Sequence, residues 1–248
     1  MIELKNNDEI RKITESGKMV ALVLKKLKEM ARPGLVSLDL DDMARRMTKG
    51  FGARPAFLGY RGYSAAVCVS INSEVVHGFP TKKRIFKEGD IVSLDFGVEY
   101  GGYYADAALT VAIGKISRTA KKLMEATEAS LYKGIEKAVV GLRLYDISAA
   151  VQKHAESCGF SVVRDFVGHG VGRKLHEDPM IPNYGRAGTG LPLENGMVLA
   201  IEPMINEKGY EVKVLDDDWT VVSVDGGLSA HFEHTVAITE SGPKILTL

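Results

Sequence analysis

Two aspartates eleven residues apart, a histidine set between glycines and two glutamates inside apolar stretches are the residues of this sequence best suited to chemistry. The first pair lies in DIVSLDFGVEYGGYYADAALTVAIG, which reads as a hairpin. Val92, Leu94, Phe96 and Val98 alternate with Ser93, Asp95 and Gly97, the period of a half-buried strand. Gly101-Gly102 is a turn signal. With Tyr100 opposite Tyr103, Asp106 falls opposite Gly97 and on the same face as Asp95. Leu109 and Val111 then face Leu94 and Val92 on the apolar side, which supports that register. Two carboxylates on one face of an apolar hairpin repel unless a cation or a shared proton separates them. Taken alone, the hairpin fits two solvent-facing aspartates equally well.

The other stretches add to this. In FVGHGVGRKLHEDPMI, His169 sits between glycines, which permit close backbone approach to a site, and His176 follows seven residues later. Neutral imidazole is a common ligand for divalent transition metals. Glu202 lies in NGMVLAIEPMI, just before Pro203, and Glu233 in SAHFEHTVAIT. Ionised carboxylates are almost never fully buried unless paired or bound to metal. Either strand by itself could expose its Glu to solvent, but four such elements in one chain weaken that explanation. Carboxylates with one imidazole suit Mn, Fe, Co or Zn rather than a soft thiolate metal.

Helices and strands must bring these residues together. Asp8 to Ala31 has apolar residues at helical spacing (Ile10, Ile13, Val20, Leu24, Leu27) and is stopped by Pro33-Gly34. Leu38 to Gly50 is a second helix with Ser37 or Asp39 as N-cap. Lys121 to Val139 and Asp146 to Cys158 are a third and fourth. Sliding the chain by 107 places Leu24 on Leu131, Ala31 on Ala138, Gly34 on Gly141, Leu35 on Leu142, Asp39 on Asp146 and Gly52 on Gly159. This pattern predicts two related halves, about 1–115 and 116–248, within one catalytic domain spanning 1–248. Met197 to Ile205 and Ala230 to Thr239 read as further strands. Helix pairs beside hairpin-connected strands argue for an α+β fold with a pseudo-twofold antiparallel sheet.

Composition narrows the partners. The 32 basic and 32 acidic residues cancel, so the footprint of a DNA-binding protein is absent. Cys68 and Cys158 are the only cysteines, too few and too far apart for a disulfide framework or a thiolate zinc site; they fit a reducing cytoplasm. The first residues carry no apolar signal segment, and no run of about 18 apolar residues predicts a membrane span.

Over nearly its whole length the sequence resembles a type I methionine aminopeptidase of the pita-bread fold. The resemblance is carried by CVSINSEVVHGFP, SLDFGVEYGGYYADAALT, GHGVGRKLHEDP, MVLAIEPM and SAHFEHTVAIT. It implies two divalent ions (Co, Mn, Fe or Zn). Asp95 would chelate one, His169 and Glu202 would hold the other, and Asp106 and Glu233 would bridge them. His77 and His176 match the family's non-ligand active-site histidines and, with Glu202, are the expected catalytic groups. Phe57, Tyr60, Tyr63, Cys68 and Trp219 fall where the family builds its methionine pocket. Leu175 stands where an aromatic residue is common and implies a wider or softer wall. Ala107 stands where a small polar residue is common and implies a missing hydrogen bond behind Asp106. His154 carries no assigned role, and His231 and His234 are expected to lie beside Glu233 or face away from it.

The activity implied is removal of the initiator methionine from nascent polypeptides whose second residue is small, by attack of a metal-bridging hydroxide. The resemblance further implies a cytoplasmic monomer with room for transient ribosome contact. The competing reading is an Xaa-Pro aminopeptidase or prolidase with the same five ligands; those relatives usually carry a large N-terminal domain, and Asp95 comes too early for one. A type II enzyme needs an insertion between His169 and Glu202, which the 33-residue step does not hold.

Overall fold

The computed structural model describes residues 2–248. Among them are four long helices, one nine-stranded antiparallel sheet and two three-stranded sheets. Helix α1 spans Asn7–Met30. Asn6 accepts a hydrogen bond from the Glu9 amide and Glu9 accepts one from the Asn6 amide, so two amides of the first turn are satisfied reciprocally. Helix α2 spans Leu38–Gly50 as predicted. Ser37 precedes it but does not cap it with its side chain: its hydroxyl donates to the Thr81 carbonyl and accepts from the Thr81 amide.

Helix α3 spans Arg118–Ile135, starting and ending earlier than expected. Ser117 caps the start by accepting from the Ala120 amide. At the far end, Lys137 and Ala138 bond back three residues to Gly134 and Ile135, a tightening that closes the last turn before Val139. Helix α4 spans Leu144–Ser157. Asp146 lies inside its first turn and accepts from the Arg143 amide, so the helix begins two residues before the expected start.

The main sheet runs in the order Arg54–Pro55, Ile91–Tyr100, Tyr103–Ala112, Glu233–Thr239, Val198–Ile201, Gly168–Gly170, Glu177–Ile181; Val67–Ile71 and Gly242–Ile245 pair beside it. The 91–112 hairpin has the predicted register: Tyr100 faces Tyr103, Gly97 faces Asp106 and Leu94 faces Leu109. Its apolar face packs with α1 and α2 residues in one core, including Val92, Leu94, Phe96 and Val111. A second core joins residues of α3 and α4 to Leu199, Ile201 and Val236. The helices therefore pack against the apolar side chains that back the hairpin, and α3 also reaches Ile91 at its start.

The two expected strands of the second half are each broken. Met197–Ile205 divides into Val198–Ile201 and Met204–Asn206 around Glu202-Pro203, because proline has no N–H to continue the ladder. Ala230–Thr239 divides at Phe232 into Ser229–His231 and Glu233–Thr239. The two detached pieces pair with each other in a small sheet.

The internal relation extends further than the helices. Gly34 and Gly141 have φ of 84° and 89°, and Gly89 and Gly196 have φ of 95° and 93°. The isolated bridges Val36 to Ile85 and Arg143 to Pro192 are related by the same 107-residue shift. So are Asp95 and Glu202.

Candidate active site

The sheet register brings the carboxylates into a row. Cys68 pairs with Asp95, Asp95 with Ala108, and Ala108 with Glu233, so one methyl group separates the two acids across three strands. Asp106 stands two residues from Ala108 on the same face. His169 lies opposite Ala200, and Thr235, the next residue on Glu233's face, lies opposite the same alanine. His169 Nδ1 is 2.9 Å from the Gly170 carbonyl. That carbonyl can only accept, so Nδ1 carries the proton and Nε2 is left as a free donor atom. Nε2 lies 3.5 Å from Asp106 Oδ2 and 3.6 Å from Glu202 Oε1. The glycines beside His169 serve the sheet: a Cβ at Gly168 would run into the Ala200 carbonyl, and one at Gly170 into the Asp178 carbonyl.

One cavity of about 160 Å³ is lined by all the residues singled out from the sequence: Asp95, Asp106, His169, Glu202 and Glu233 together with Phe57, Tyr60, Tyr63, Cys68, His77, Leu175, His176 and Trp219. Its volume is about half the lower end of the roughly 300–1,000 Å³ range of drug-sized pockets, which suits a single side chain. Tyr63, Cys68, Phe57 and Trp219 form an apolar cluster with Ala65 and Phe79. Tyr63 stacks on Phe79 at 4.6 Å and meets Trp219 edge-on at 5.0 Å. Its hydroxyl donates to the Gly78 carbonyl, and burial pushes its pKa upward. Trp219 is held by Asp217, which accepts from the amides of Trp219 and Thr220 and from the Thr220 hydroxyl. His77 occupies the left-handed region at φ 62°, which is uncommon for a residue other than glycine.

The electrostatics call for a cation. Desolvation pushes Asp95 and Glu202 each up to about 8, and it raises Asp106 and Glu233 as well; the neighbouring carboxylates add to the rise at Asp95, Glu202 and Glu233. Among the described residues, the ion pairs of these four acids are with His169 and His231 alone. Burial lowers the pKa of His231, which weakens it as a counter-charge, although Asp95 and Asp106 pull the other way. Asp95 Oδ1 is buried without a hydrogen-bond partner. Ionising these buried carboxyls together, one of whose oxygens has no partner, is costly unless a metal ion is bound. Atoms of Asp106, His169 and Glu233 lie within 4.8 Å of one another. The donor set thus fits divalent cations.

Burial lowers His77 to about 4, with His231 adding. His176 is exposed as a residue, yet partial desolvation pulls its pKa down to about 3, with His169, Arg61 and His77 contributing. Both are neutral imidazoles near pH 7, each keeping one N–H to donate.

Three residues at the site were not assigned from the sequence: His231, Arg61 and Thr235. His231 Nε2 lies 3.5 Å from Glu202 Oε2 and has no hydrogen-bond partner. Its position two residues before Glu233 was the available signal. His234 faces the other way, against Thr247 and Tyr132. Arg61 also lines the cavity, and nothing in its local sequence marks it. The hydrogen bond expected to be missing behind Asp106 is present from elsewhere: Thr235 Oγ1 accepts from the Asp106 amide and lies 3.2 Å from its Oδ1. Ala107 points to the opposite, core face and could not have supplied it.

The sequence matches metallopeptidase family M24 over residues 11–240. The chain belongs to that family. It is 52% identical to a methionine aminopeptidase of Clostridium acetobutylicum, over 100% of this chain and 99% of that one. The crystal structure of a methionine aminopeptidase from Thermotoga maritima superposes with a TM-score of 0.98 at 50% identity, covering 100% and 99% of the two chains. A prolidase from Pyrococcus furiosus shares the fold at TM-score 0.79 and 23% identity, and this M24 chain covers 65% of it. The pita-bread fold expected from the sequence is the fold observed.

Proposed function

We propose that this protein is a divalent-metal-dependent methionine aminopeptidase that removes the N-terminal methionine of polypeptides whose second residue is small. The observation that carries the reading is the opening of five metal-type donors onto an apolar cavity sized for one side chain. Full-length relatives named methionine aminopeptidase support it.

Two ions drawn from Co, Mn, Fe or Zn would be held by Asp95, Asp106, His169, Glu202 and Glu233, with Asp106 and Glu233 shared between them. Bound there, divalent ions supply Lewis acidity and lower the pKa of water toward neutrality. The chain does the rest. Phe57, Tyr60, Tyr63, Cys68, Leu175 and Trp219 take up the unbranched thioether side chain, to which a polarizable apolar pocket is matched. Glu202 takes the proton of the attacking water at a carboxylate oxygen. It then passes that proton to the departing amide nitrogen. His176 donates its N–H to the carbonyl oxygen of the first residue as negative charge builds there. His77 contacts the amide that is cleaved. No helix of the described residues is long and apolar enough to cross a membrane, and the natural substrates are the N-termini of new proteins, met in the cytoplasm by a monomeric single domain that can pass transiently over the ribosome.

The test is a peptide panel on protein loaded with each metal in turn: Met-Ala-Ser, Met-Lys-Ser, Ala-Pro-Ser and N-acetyl-Met-Ala-Ser. Only the first is expected to be cleaved well, and chelation is expected to abolish that cleavage. Release of Ala from Ala-Pro-Ser with Met-Ala-Ser untouched would replace this reading with the proline-specific one.

A further inference from the structure

We propose that Lys5 and Glu177 are positioning residues whose buried ion pair holds the segment carrying Leu175 and His176 in register with the substrate pocket. The inference rests on the aminopeptidase reading for what that segment does, and on geometry for how it is held. Val171 to His176 contains neither helix nor strand, so its shape depends on discrete bonds. Glu177 supplies three of them. Its Oε1 accepts from the amides of Arg173 (2.7 Å) and Lys174 (3.0 Å), and its Oε2 accepts from Lys5 Nζ at 2.7 Å.

Lys5 is 172 residues away in sequence, and its side chain is 2% exposed against 11% for Glu177. The path for it is built in. A Cβ at Gly172 would collide with Lys5 Cε, and one at Gly196 with the Lys5 carbonyl. The Lys5 amide donates to the Gly196 carbonyl at 2.7 Å, which ties the same residue to the turn leading into Val198–Ile201 and Glu202. A second, more exposed tie runs from Arg173 to Glu9 at 2.9 Å, and Tyr103 also donates to Glu9. The segment bearing His176 is thus anchored to the chain just before α1 and to its first turn.

Lys5 does not line the substrate cavity, so it acts on the segment from outside, through Glu177 and its packing at Gly172; its Nζ also donates to the Glu3 carbonyl at 3.0 Å. Breaking a buried pair by removing one partner strands the other charge.

The experiment compares wild type with Lys5→Met, Glu177→Gln, the double variant and an α1 core variant, Ile13→Val, that serves as a stability control. In Lys5→Met the amides of Arg173 and Lys174 are expected to exchange with solvent about tenfold faster or more, as local opening predicts. On Met-Ala-Ser, kcat falls about tenfold with KM little changed, because a misplaced donor weakens the transition state more than the ground state. The Met-over-Leu preference at residue one narrows, because Leu175 moves with the segment. Metal content stays at the wild-type level. Glu177→Gln keeps the shape and one of the two acceptor oxygens, with an NH2 in place of the other, so it breaks the ion pair without removing the side chain and carries the test if Lys5→Met does not fold. The double variant is expected to be no worse than the worse single one, since residues that act as a unit are not additive. Ile13→Val lowers stability without these signatures.

Unchanged exchange at Arg173 and Lys174 in a destabilised Lys5→Met would overturn the proposal, leaving the pair as a clasp for the N-terminal segment only. Additive losses in the double variant would also overturn it. If wild type fails to cleave Met-Ala-Ser, the functional reading falls, and the exchange data alone decide whether the pair holds the segment.

Discussion

In the first half, Ile91–Tyr100 runs as one ten-residue strand through Asp95. In the second, the related stretch stops after Ile201, turns at Glu202-Pro203, and resumes as Met204–Asn206 in another sheet. The unbroken hairpin places Asp95 and Asp106 at a spacing set by the strand repeat alone. The broken half contributes Glu202 from a strand end. It frees Met204 to pack with Val75, Val76 and Val221, the sheet that leads into His77. One half therefore supplies a pair of carboxylates on a continuous hairpin, and the other gives up strand continuity to send Met204 against the sheet beside His77.

The strongest way to break this contrast is Asp106→Ala. If the hairpin is the rigid platform of a shared site, metal and activity are lost together, since the residue is proposed to serve both ions. Wild-type metal content in that variant, measured on the assayed sample, would take Asp106 out of the site. His176→Ala probes what the second half contributes beside its metal-type donors. It should lower kcat by roughly 10²–10³, as loss of one oxyanion donor does, with metal retained; loss of metal would mean that His176 is a ligand.

Thr235→Val tests the seam where the halves meet. Thr235 is the second half's hold on Asp106. Removing it should cost about 1–3 kcal/mol of stability, the penalty of an unsatisfied buried group, and about tenfold in metal affinity, read by denaturant titration and metal competition. Matched glycines give the smallest effects and the sharpest comparison. Gly34→Ala and Gly141→Ala have nothing near an added Cβ. Each should cost only the left-handed penalty of about 1–2 kcal/mol, and the two should agree. Gly89→Ala should cost a similar amount. Gly196→Ala should cost more, because its Cβ would meet Lys5. Equal losses at Gly89 and Gly196 would show that the chain before α1 is not packed where the structure has it.

Much of this was legible in the sequence, because strand alternation and helical spacing record which face of each element is buried. The hairpin register, the four helices and the 107-residue relation all follow from such local patterns. What stayed illegible has a common physical cause. Pro203 marked the strand break in the sequence, but the partner that Met204–Asn206 would take is a choice among distant edges. His231 looked like a flanking residue until that break turned it toward Glu202. Thr235 reaches Asp106 across 129 positions.

The sequence by itself determined the donor types, their order and the hairpin that pairs two of them, since each depends on residues a few positions apart. Only the tertiary structure decided that Cys68, Asp95, Ala108 and Glu233 form one row, and that Lys5 meets Glu177. Those contacts depend on how separate strands and the chain before α1 close against one another. That closure is set by burial of the whole sheet face and leaves no periodic mark on the residues it joins.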